Sequence, residues 1–146
     1  MFIEASAPRV PGDKARLISP IIDTSSKMCV TFWYHMYGQS VDTLNLYIKS
    51  RPSLDKPIFT RKGNLGNLWL QGQIEFTGAG KQVSWVLTER SIYLVPLLPI
   101  PKLLFLHNPF GLQQIVFEGI VGRSYQGDIS IDDVRLDNGA CSSKYL

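Results

Sequence analysis

The segment from residue 114 to residue 141 decides the fold. It reads Gln114-Ile-Val-Phe-Glu-Gly119, continues as Gly127-Asp-Ile-Ser-Ile-Asp-Asp-Val-Arg-Leu136 after a glycine-containing turn, and closes with Cys141. Apolar residues alternate with polar residues in both parts, at Ile115, Phe117, Ile129 and Ile131. A period of two is typical of a strand with one buried face. The segment therefore predicts two β-strands joined by a turn and followed by a cysteine.

The composition is that of one globular domain. The chain has 146 residues, of which 45% are hydrophobic and 18% are charged, and its net charge is +3. This length is sufficient to bury a core, and the composition argues against general disorder. The basic residues are scattered along the chain, so we expect no nucleic-acid partner.

Short alternating segments separated by turn residues predict eight strands and no helix. This pattern is typical of an all-β sandwich or barrel. The predicted strand from Ala15 to Ile22 contains Pro20, which favours an edge or a bend. The strand from Met28 to Tyr37 carries bulky side chains on both faces, so we expect it to be central and covered on both sides. We interpret four aromatic residues as core residues: Phe32, Trp33, Trp69 and Phe117.

The chain resembles MAM domains, the extracellular modules named after meprin, A-5 protein and the mu-type receptor tyrosine phosphatase. The Phe-Glu-Gly strand at 117–119, the Ile-Asp-Asp strand at 131–133 and the final cysteine match the end of that family. Segments at 2–6, 12–20, 29–38 and 63–69 also resemble MAM segments in the family's order. The resemblance implies a jelly-roll β-sandwich of two antiparallel sheets.

The same resemblance implies a non-catalytic module of a secreted or cell-surface multidomain protein. Its expected role is adhesion or protein–protein interaction, including homophilic contact, and its expected location is extracellular, on a parent protein that is membrane-anchored. A truncated, insert-bearing product that does not fold stably is one alternative, and two alternative functions stay open. One is a carbohydrate-binding module on a similar jelly roll, which an array of exposed aromatic residues on one face would favour. The other is an accessory domain of an extracellular protease.

The two cysteines, Cys29 and Cys141, are compatible on sequence alone with free buried thiols or with a disulfide. The family resemblance implies a Cys29–Cys141 disulfide, which requires an oxidising compartment. It also implies two further cysteines upstream of Met1, so we expect a chain that begins inside the domain. The N-terminus lacks the features of a signal peptide, and the most apolar region, 92–110, is broken by prolines and a lysine, so we expect no membrane span.

Residues 83–113 interrupt the resemblance. They are rich in Leu, Pro, Ile and Phe without a clear period, and a loop of this length is uncommon in a compact domain. Val83-Ser84 can be encoded by GTGAGT and Gln113 by CAG, which are consensus intron ends. We hypothesise a short intron translated in frame; a divergent loop is the alternative.

The candidate polar sites are few. Asp132 and Asp133 form the main carboxylate cluster, and because neighbours in a strand point to opposite faces, we expect one of them to be partly buried. Carboxylates favour hard cations, so Asp132 and Asp133 are candidate ligands of a structural Ca²⁺. Glu118 is interpreted as a structural hydrogen-bond acceptor, and Arg16 as a surface partner of Asp13. Neither histidine, His35 or His107, has a metal-ligand pattern, and no catalytic group is predicted.

Overall fold

The computed structural model describes residues 2–3, 6–24, 26–50, 54–77 and 112–142. Within these ranges the chain forms nine strands and no helix. The strands are β1 (Phe2–Ile3), β2 (Lys14–Ile18), β3 (Ile22–Asp23), β4 (Lys27–Tyr37), β5 (Thr43–Lys49), β6 (Phe59–Lys62), β7 (Leu70–Thr77), β8 (Leu112–Ile120) and β9 (Asp128–Asn138).

The strands form two antiparallel sheets, and the predicted jelly-roll β-sandwich is confirmed. The four-stranded sheet has the order β1-β9-β4-β7. The five-stranded sheet has the order β2-β8-β5-β6, with β3 also paired to β8. The two strands that were predicted from residues 114–119 and 127–136 therefore lie in different sheets, and the loop between them crosses the sandwich.

The single strand predicted from Ala15 to Ile22 is divided into β2 and β3. Both pieces pair with β8, and Pro20 lies between them. Proline has no backbone N–H to donate to a neighbouring strand, so the ladder is interrupted where it occurs. The bend that the proline favoured is thus present.

The core lies between the sheets and is centred on Phe32, which is completely buried. Its ring packs edge-on against Phe59 and Phe117, with ring centroids 5.3 and 4.9 Å apart. Such edge-to-face contacts add to the stabilisation from burial. Gly72 lies opposite Phe32 in β7, and a side chain at that position would collide with the phenylalanine ring.

At one end of the sandwich, the turn after β4 packs against the loop between β8 and β9. Ser40 lies in the turn after β4. Its N–H donates to the Gln126 carbonyl (3.1 Å), and its Oγ shares a hydrogen bond of 2.6 Å with Ser124 Oγ. Gly122 lies so close to the Ser40 carbonyl that a Cβ would overlap it. A glycine is therefore required at position 122, because the backbones of the two loops approach each other closely there.

Strand β4 is central, as predicted, but only one of its faces is covered. The even-numbered residues from Met28 to Met36 are all buried in the core, whereas Trp33 is 39% exposed on the other face. The prediction of cover on both sides is wrong, because no second layer of described residues packs on that face. The four-stranded sheet thus has a solvent-facing surface, which we call the outer face.

The predicted insert lies mostly outside the described residues. Its last two residues, Leu112 and Gln113, belong to β8, where they pair with β3. Gln113 is buried and accepts a hydrogen bond from Thr24 Oγ1 (3.0 Å). Residues 83–111 fall outside the described ranges, and the intron origin stays a prediction.

Candidate functional site on the outer face of the four-stranded sheet

A disulfide closes one end of the outer face. Cys29 in β4 is bonded to Cys141 across a sequence separation of 112 residues, with the two Cα atoms 5.0 Å apart. Around it, Gln73 Nε2 donates to the Ser142 carbonyl (3.0 Å), and the Cys141 N–H donates to Glu75 (3.3 Å). The bridge that the resemblance implied is present, and it holds the segment after β9 against the centre of the sheet.

A β-bulge in β9 determines where Asp132 and Asp133 lie. Thr31 pairs with Arg135 and Trp33 pairs with Asp132, so β9 has one extra residue at this point. Asp133 has a φ of 49°, in the left-handed region, and its N–H donates to Asp132 Oδ1 (2.9 Å). A bulge interrupts the alternation of side chains.

Both aspartates are consequently exposed, and the expectation that one is partly buried is wrong. That expectation assumed regular alternation, which the extra residue removes. Among the residues that the structure describes, no group of three or more His, Cys, Asp or Glu side chains is placed to hold a metal. A Ca²⁺ ion on Asp132 and Asp133 stays a prediction, which the melting temperature in the presence of calcium or of a chelator would test.

An aromatic cluster occupies the other end of the outer face, and we call it the aromatic patch. His35 lies 5.5 Å from Trp69 and 6.1 Å from Tyr37 between ring centroids. Trp33 is on the same face of β4, and Phe2 reaches this face because it pairs with Ser130, which in turn pairs with His35. The exposed fractions are 63% for Phe2, 39% for Trp33, 48% for Tyr37 and 46% for Trp69.

The prediction that Trp33 and Trp69 are core residues is therefore wrong, while Phe32 and Phe117 are buried as predicted. The alternation along β4 puts Trp33 and His35 on the face that does not carry Phe32. A bulky side chain on that face does not by itself indicate that the face is buried. His35 contacts Asn67 through a hydrogen bond of 3.0 Å between Nε2 and Oδ1. His107 lies outside the described residues.

Between the disulfide and the aromatic patch lies a cavity of about 430 Å³, which we call the polar groove. Thr31 lies in the middle of it, with Gln73 beside it in β7 and Arg135 beside it in β9. Its other lining residues are Cys29, Phe32, Trp33, Gln71, Asp133, Asp137, Ala140 and Ser142. The groove thus combines amide, hydroxyl, carboxylate and guanidinium groups with one tryptophan.

Glu118 lies in the other sheet and has a structural role, as interpreted from the sequence. Arg16 makes two contacts with its Oε2 atom, of 2.6 Å from Nη2 and 2.7 Å from Nε, and Tyr47 OH donates to Oε1 (2.9 Å). Lys14 lies 4.0 Å away. Arg16 therefore pairs with Glu118 and not with Asp13, whose carboxylate accepts from the Val10 N–H instead.

These contacts determine how the buried pair titrates. Burial acts to raise the pKa of Glu118, but the hydrogen bonds from Arg16 and Tyr47 and the charges of Lys14 and Arg16 outweigh it and hold that pKa below its usual value. Burial, and then the bond to the Glu118 carboxylate and its negative charge, raises the pKa of the Tyr47 phenol. Glu118 is thus kept ionised, which suits a structural acceptor and not a general acid.

A jelly-roll β-sandwich with a long-range disulfide is the architecture of an extracellular β-sandwich module. A model of the MAM family (MAM domain, meprin/A5/mu) matches residues 1–91, which is more than half of the chain. The chain belongs to the MAM family.

Similarity to curated relatives extends over the whole chain. The chain is 42% identical over 99% of its length to the chicken (Gallus gallus) MAM domain-containing glycosylphosphatidylinositol anchor protein 1, and 40% identical over 99% to the human protein of that name. It is 32% identical over its full length to the mouse (Mus musculus) MAM domain-containing glycosylphosphatidylinositol anchor protein 2. It spans only 12–13% of the length of these relatives.

The fold also has a solved counterpart. The K3 cleaved adhesin domain of Lys-gingipain from Porphyromonas gingivalis superposes with a TM-score of 0.57 at 11% identity, covering 94% of this chain and 72% of that one. At this identity the similarity concerns the fold alone.

The predicted location is confirmed by the relatives, which are named as glycosylphosphatidylinositol anchor proteins, and it agrees with the disulfide. The matched family and these relatives indicate no catalytic family. Nowhere in the described part of the chain is there a helix long and apolar enough to cross a membrane.

Proposed function

We propose that this MAM domain is a non-catalytic interaction module that makes protein–protein contacts at the cell surface through its aromatic patch. The supporting observation is the exposure of Phe2, Trp33, Tyr37 and Trp69 on one face of the four-stranded sheet. Aromatic side chains are enriched among the residues that contribute most to protein binding. Phe2, Trp33 and Tyr37 lie in strands of the sheet and Trp69 directly precedes β7, so presenting these side chains costs little conformational entropy.

The size of the patch supports this role. An aromatic side chain has a surface of about 150–250 Å², so the four exposed fractions correspond to roughly 400 Å² of aromatic surface. This matches the largest exposed apolar patch of a typical soluble protein, which is about 300–600 Å² and often functional. A standard interface covers about 800 Å² of each partner, so we expect the patch to form the centre of a contact whose rim is polar.

The partner is a protein on a facing or neighbouring cell surface, and a second copy of the same module is one case of this. Beads coated with the domain test the two cases separately. Aggregation of identical beads would show homophilic contact, whereas binding of single beads to cells without aggregation would show a different partner. Beads that neither aggregate nor bind cells would contradict the proposed function.

Two variants test whether the aromatic patch makes this contact. Trp69→Ala removes an exposed ring without opening the core, and we expect it to abolish aggregation or cell binding. Ile58→Ala is the matched control, because Ile58 is 41% exposed and precedes β6 in the other sheet. Equal binding by the two variants would exclude the aromatic patch as the contact surface.

A further inference from the structure

The polar groove shares Trp33 with the aromatic patch, but its polar walls have a chemistry that the protein contact does not use. The register of the sheet places three rows of side chains across it, with Cys29, Thr31 and Trp33 as the central members. Gln71 and Gln73 project from β7 on one side, and Asp133, Arg135 and Asp137 project from β9 on the other. The groove therefore has two polar walls, a tryptophan at one end and the disulfide-clamped segment at the other.

Several of these polar side chains are unpaired. Within the described ranges, the side chains of Gln71, Asp133, Arg135 and Asp137 make no hydrogen bond or ion pair with the protein. Those of Asp133, Arg135 and Asp137 are exposed, and Gln71 is half-buried. This contrasts with Glu118 in the other sheet, whose oxygens are fully engaged by the protein. The free donors and acceptors in the groove are available to a ligand.

We propose that the polar groove binds a neutral oligosaccharide. A sugar hydroxyl both donates and accepts a hydrogen bond, so it is best recognised by a wall that offers both kinds of group. Here the Gln71 amide offers donors and an acceptor, Arg135 offers donors, and the two aspartates offer acceptors. The Gln73 side-chain nitrogen already donates to Ser142 and Cys29, so Gln73 offers its amide oxygen as an acceptor. The Trp33 ring, 39% exposed at the end of the groove, provides an apolar face for the C–H side of a pyranose ring.

The shape and charge of the groove select this ligand over others. A volume of about 430 Å³ lies in the range of small-ligand sites, which is about 300–1,000 Å³, and is too small for a folded partner. Asp133 and Asp137 give the walls more negative than positive charge, which disfavours sulfated or sialylated glycans. Arg135 lies between these two carboxylates in sequence and reduces their net negative charge, which weakens the attraction of a cationic peptide.

The test is a titration of the ¹⁵N-labelled domain with uncharged gluco-, galacto- and manno-oligosaccharides at millimolar concentration, preceded by a glycan array to choose among them. The expected result is saturable shifts of the amides of Thr31, Gln71, Gln73 and Arg135. An absence of binding by every uncharged glycan overturns the proposal. Preference for sulfated glycans, or equal binding of a basic peptide at the same amides, also overturns it.

Variants then assign the binding to individual groups. We expect Gln71→Ala and Arg135→Ala each to weaken binding about tenfold, which corresponds to the loss of one or two hydrogen bonds. We expect Trp33→Ala to weaken it at least as much. Asp133→Asn keeps a residue that tolerates the left-handed conformation while removing the charge. Ile58→Ala is the control and should bind like the unchanged protein; unaltered affinity in all the groove variants would contradict the assignment.

This proposal goes beyond the protein contact and can fail separately from it. Gln71→Ala should lose glycan binding and keep bead or cell binding, whereas Trp69→Ala should do the opposite. Loss of both activities in both variants would show one combined surface and contradict a separate glycan site. The amide spectra of the variants establish that each remains folded.

Discussion

Glu118 is a buried charged residue whose structural role follows from its ion pair with Arg16. Its side chain is 2% exposed, and its partner Arg16 is 46% exposed. Removing one member of a buried pair leaves the other without a partner, which costs about 3–5 kcal/mol when both are buried. Because Arg16 can regain water, we expect Glu118→Ala to lower the free energy of unfolding by roughly 2–3 kcal/mol.

The exposed pair between Lys27 and Glu75 provides the control. Its nitrogen-to-oxygen distance is 2.7 Å, but its side chains are 49% and 40% exposed. An exposed pair of this kind contributes little to stability, because water screens its charges. Urea unfolding of Glu118→Ala and Glu75→Gln should therefore differ clearly, and equal losses would show that Glu118 has no special structural role.

Acidification should remove the contribution of Glu118 to the free energy of unfolding. Its pKa is lowered in the folded state, so the stabilisation is complete above the ordinary glutamate pKa of about 4.3 and is lost as pH falls through the lowered value. The difference in unfolding free energy between the unchanged protein and Glu118→Gln should be constant between neutral pH and about pH 5 and shrink below about pH 4. A difference that grows on acidification would contradict this assignment.

The residue scale also shows where sequence reasoning stops. The role of Glu118 could be predicted, because a carboxylate within an apolar strand needs donors. The exposure of Asp132 and Asp133 could not, because the bulge arises from the pairing of β9 with β4 and has no signature in an Asp-Asp pair. The left-handed conformation of Asp133 is visible only in the backbone.

At the scale of the elements, the Cys29–Cys141 disulfide connects the beginning of β4 to the segment that follows β9. In the chain-entropy description, a bridge that closes a loop of about 100 residues stabilises the folded state by roughly 4–5 kcal/mol. We expect the double variant Cys29→Ala/Cys141→Ala to lose about this much in urea unfolding. Reduction of the unchanged protein should have the same effect and should leave the variant unaffected; a loss below about 1 kcal/mol would show that the bridge is not structural.

Most of the strands could be predicted because alternation with a period of two survives in β4, β5, β8 and β9. The position of β4 at the centre of a sheet could be predicted from its length and apolar content. The exposure of its second face could not, since the bulk of Trp33 does not reveal whether another layer covers it. The aromatic patch and the polar groove could not be predicted for the same reason, since recognising them requires the register of β7, β4 and β9.

At the scale of the whole molecule, we infer from the strand pairing that residues 83–113 are dispensable for folding. Asp23 pairs with Leu112 and Lys27 pairs with Thr77, so three residues connect β3 to β4 across the sandwich at this end. Joining Gln82 to Gln114 would leave three residues, 78–80, for the matching crossover from β7 to β8. Gln82 would then take the register of Gln113, and the bond to Thr24 could be retained.

We therefore expect the chain without residues 83–113 to fold with at least the stability of the full chain. Thermal unfolding of the two proteins measures this, and a deletion that abolishes the cooperative transition would show that the segment is part of the domain. Transcript sequencing tests the origin of the segment: the intron hypothesis predicts transcripts in which codon 82 is joined to codon 114. Transcripts that always carry the segment would contradict it.

The central claim is that the outer face of the four-stranded sheet is the interaction surface of the module. The most direct test is a cell-binding titration of the multimerised domain, comparing Trp33→Ala/Trp69→Ala with Ile58→Ala after both have been shown to be folded. We predict that the double variant weakens binding at least tenfold while Ile58→Ala matches the unchanged protein. Equal binding by all three proteins would contradict the claim.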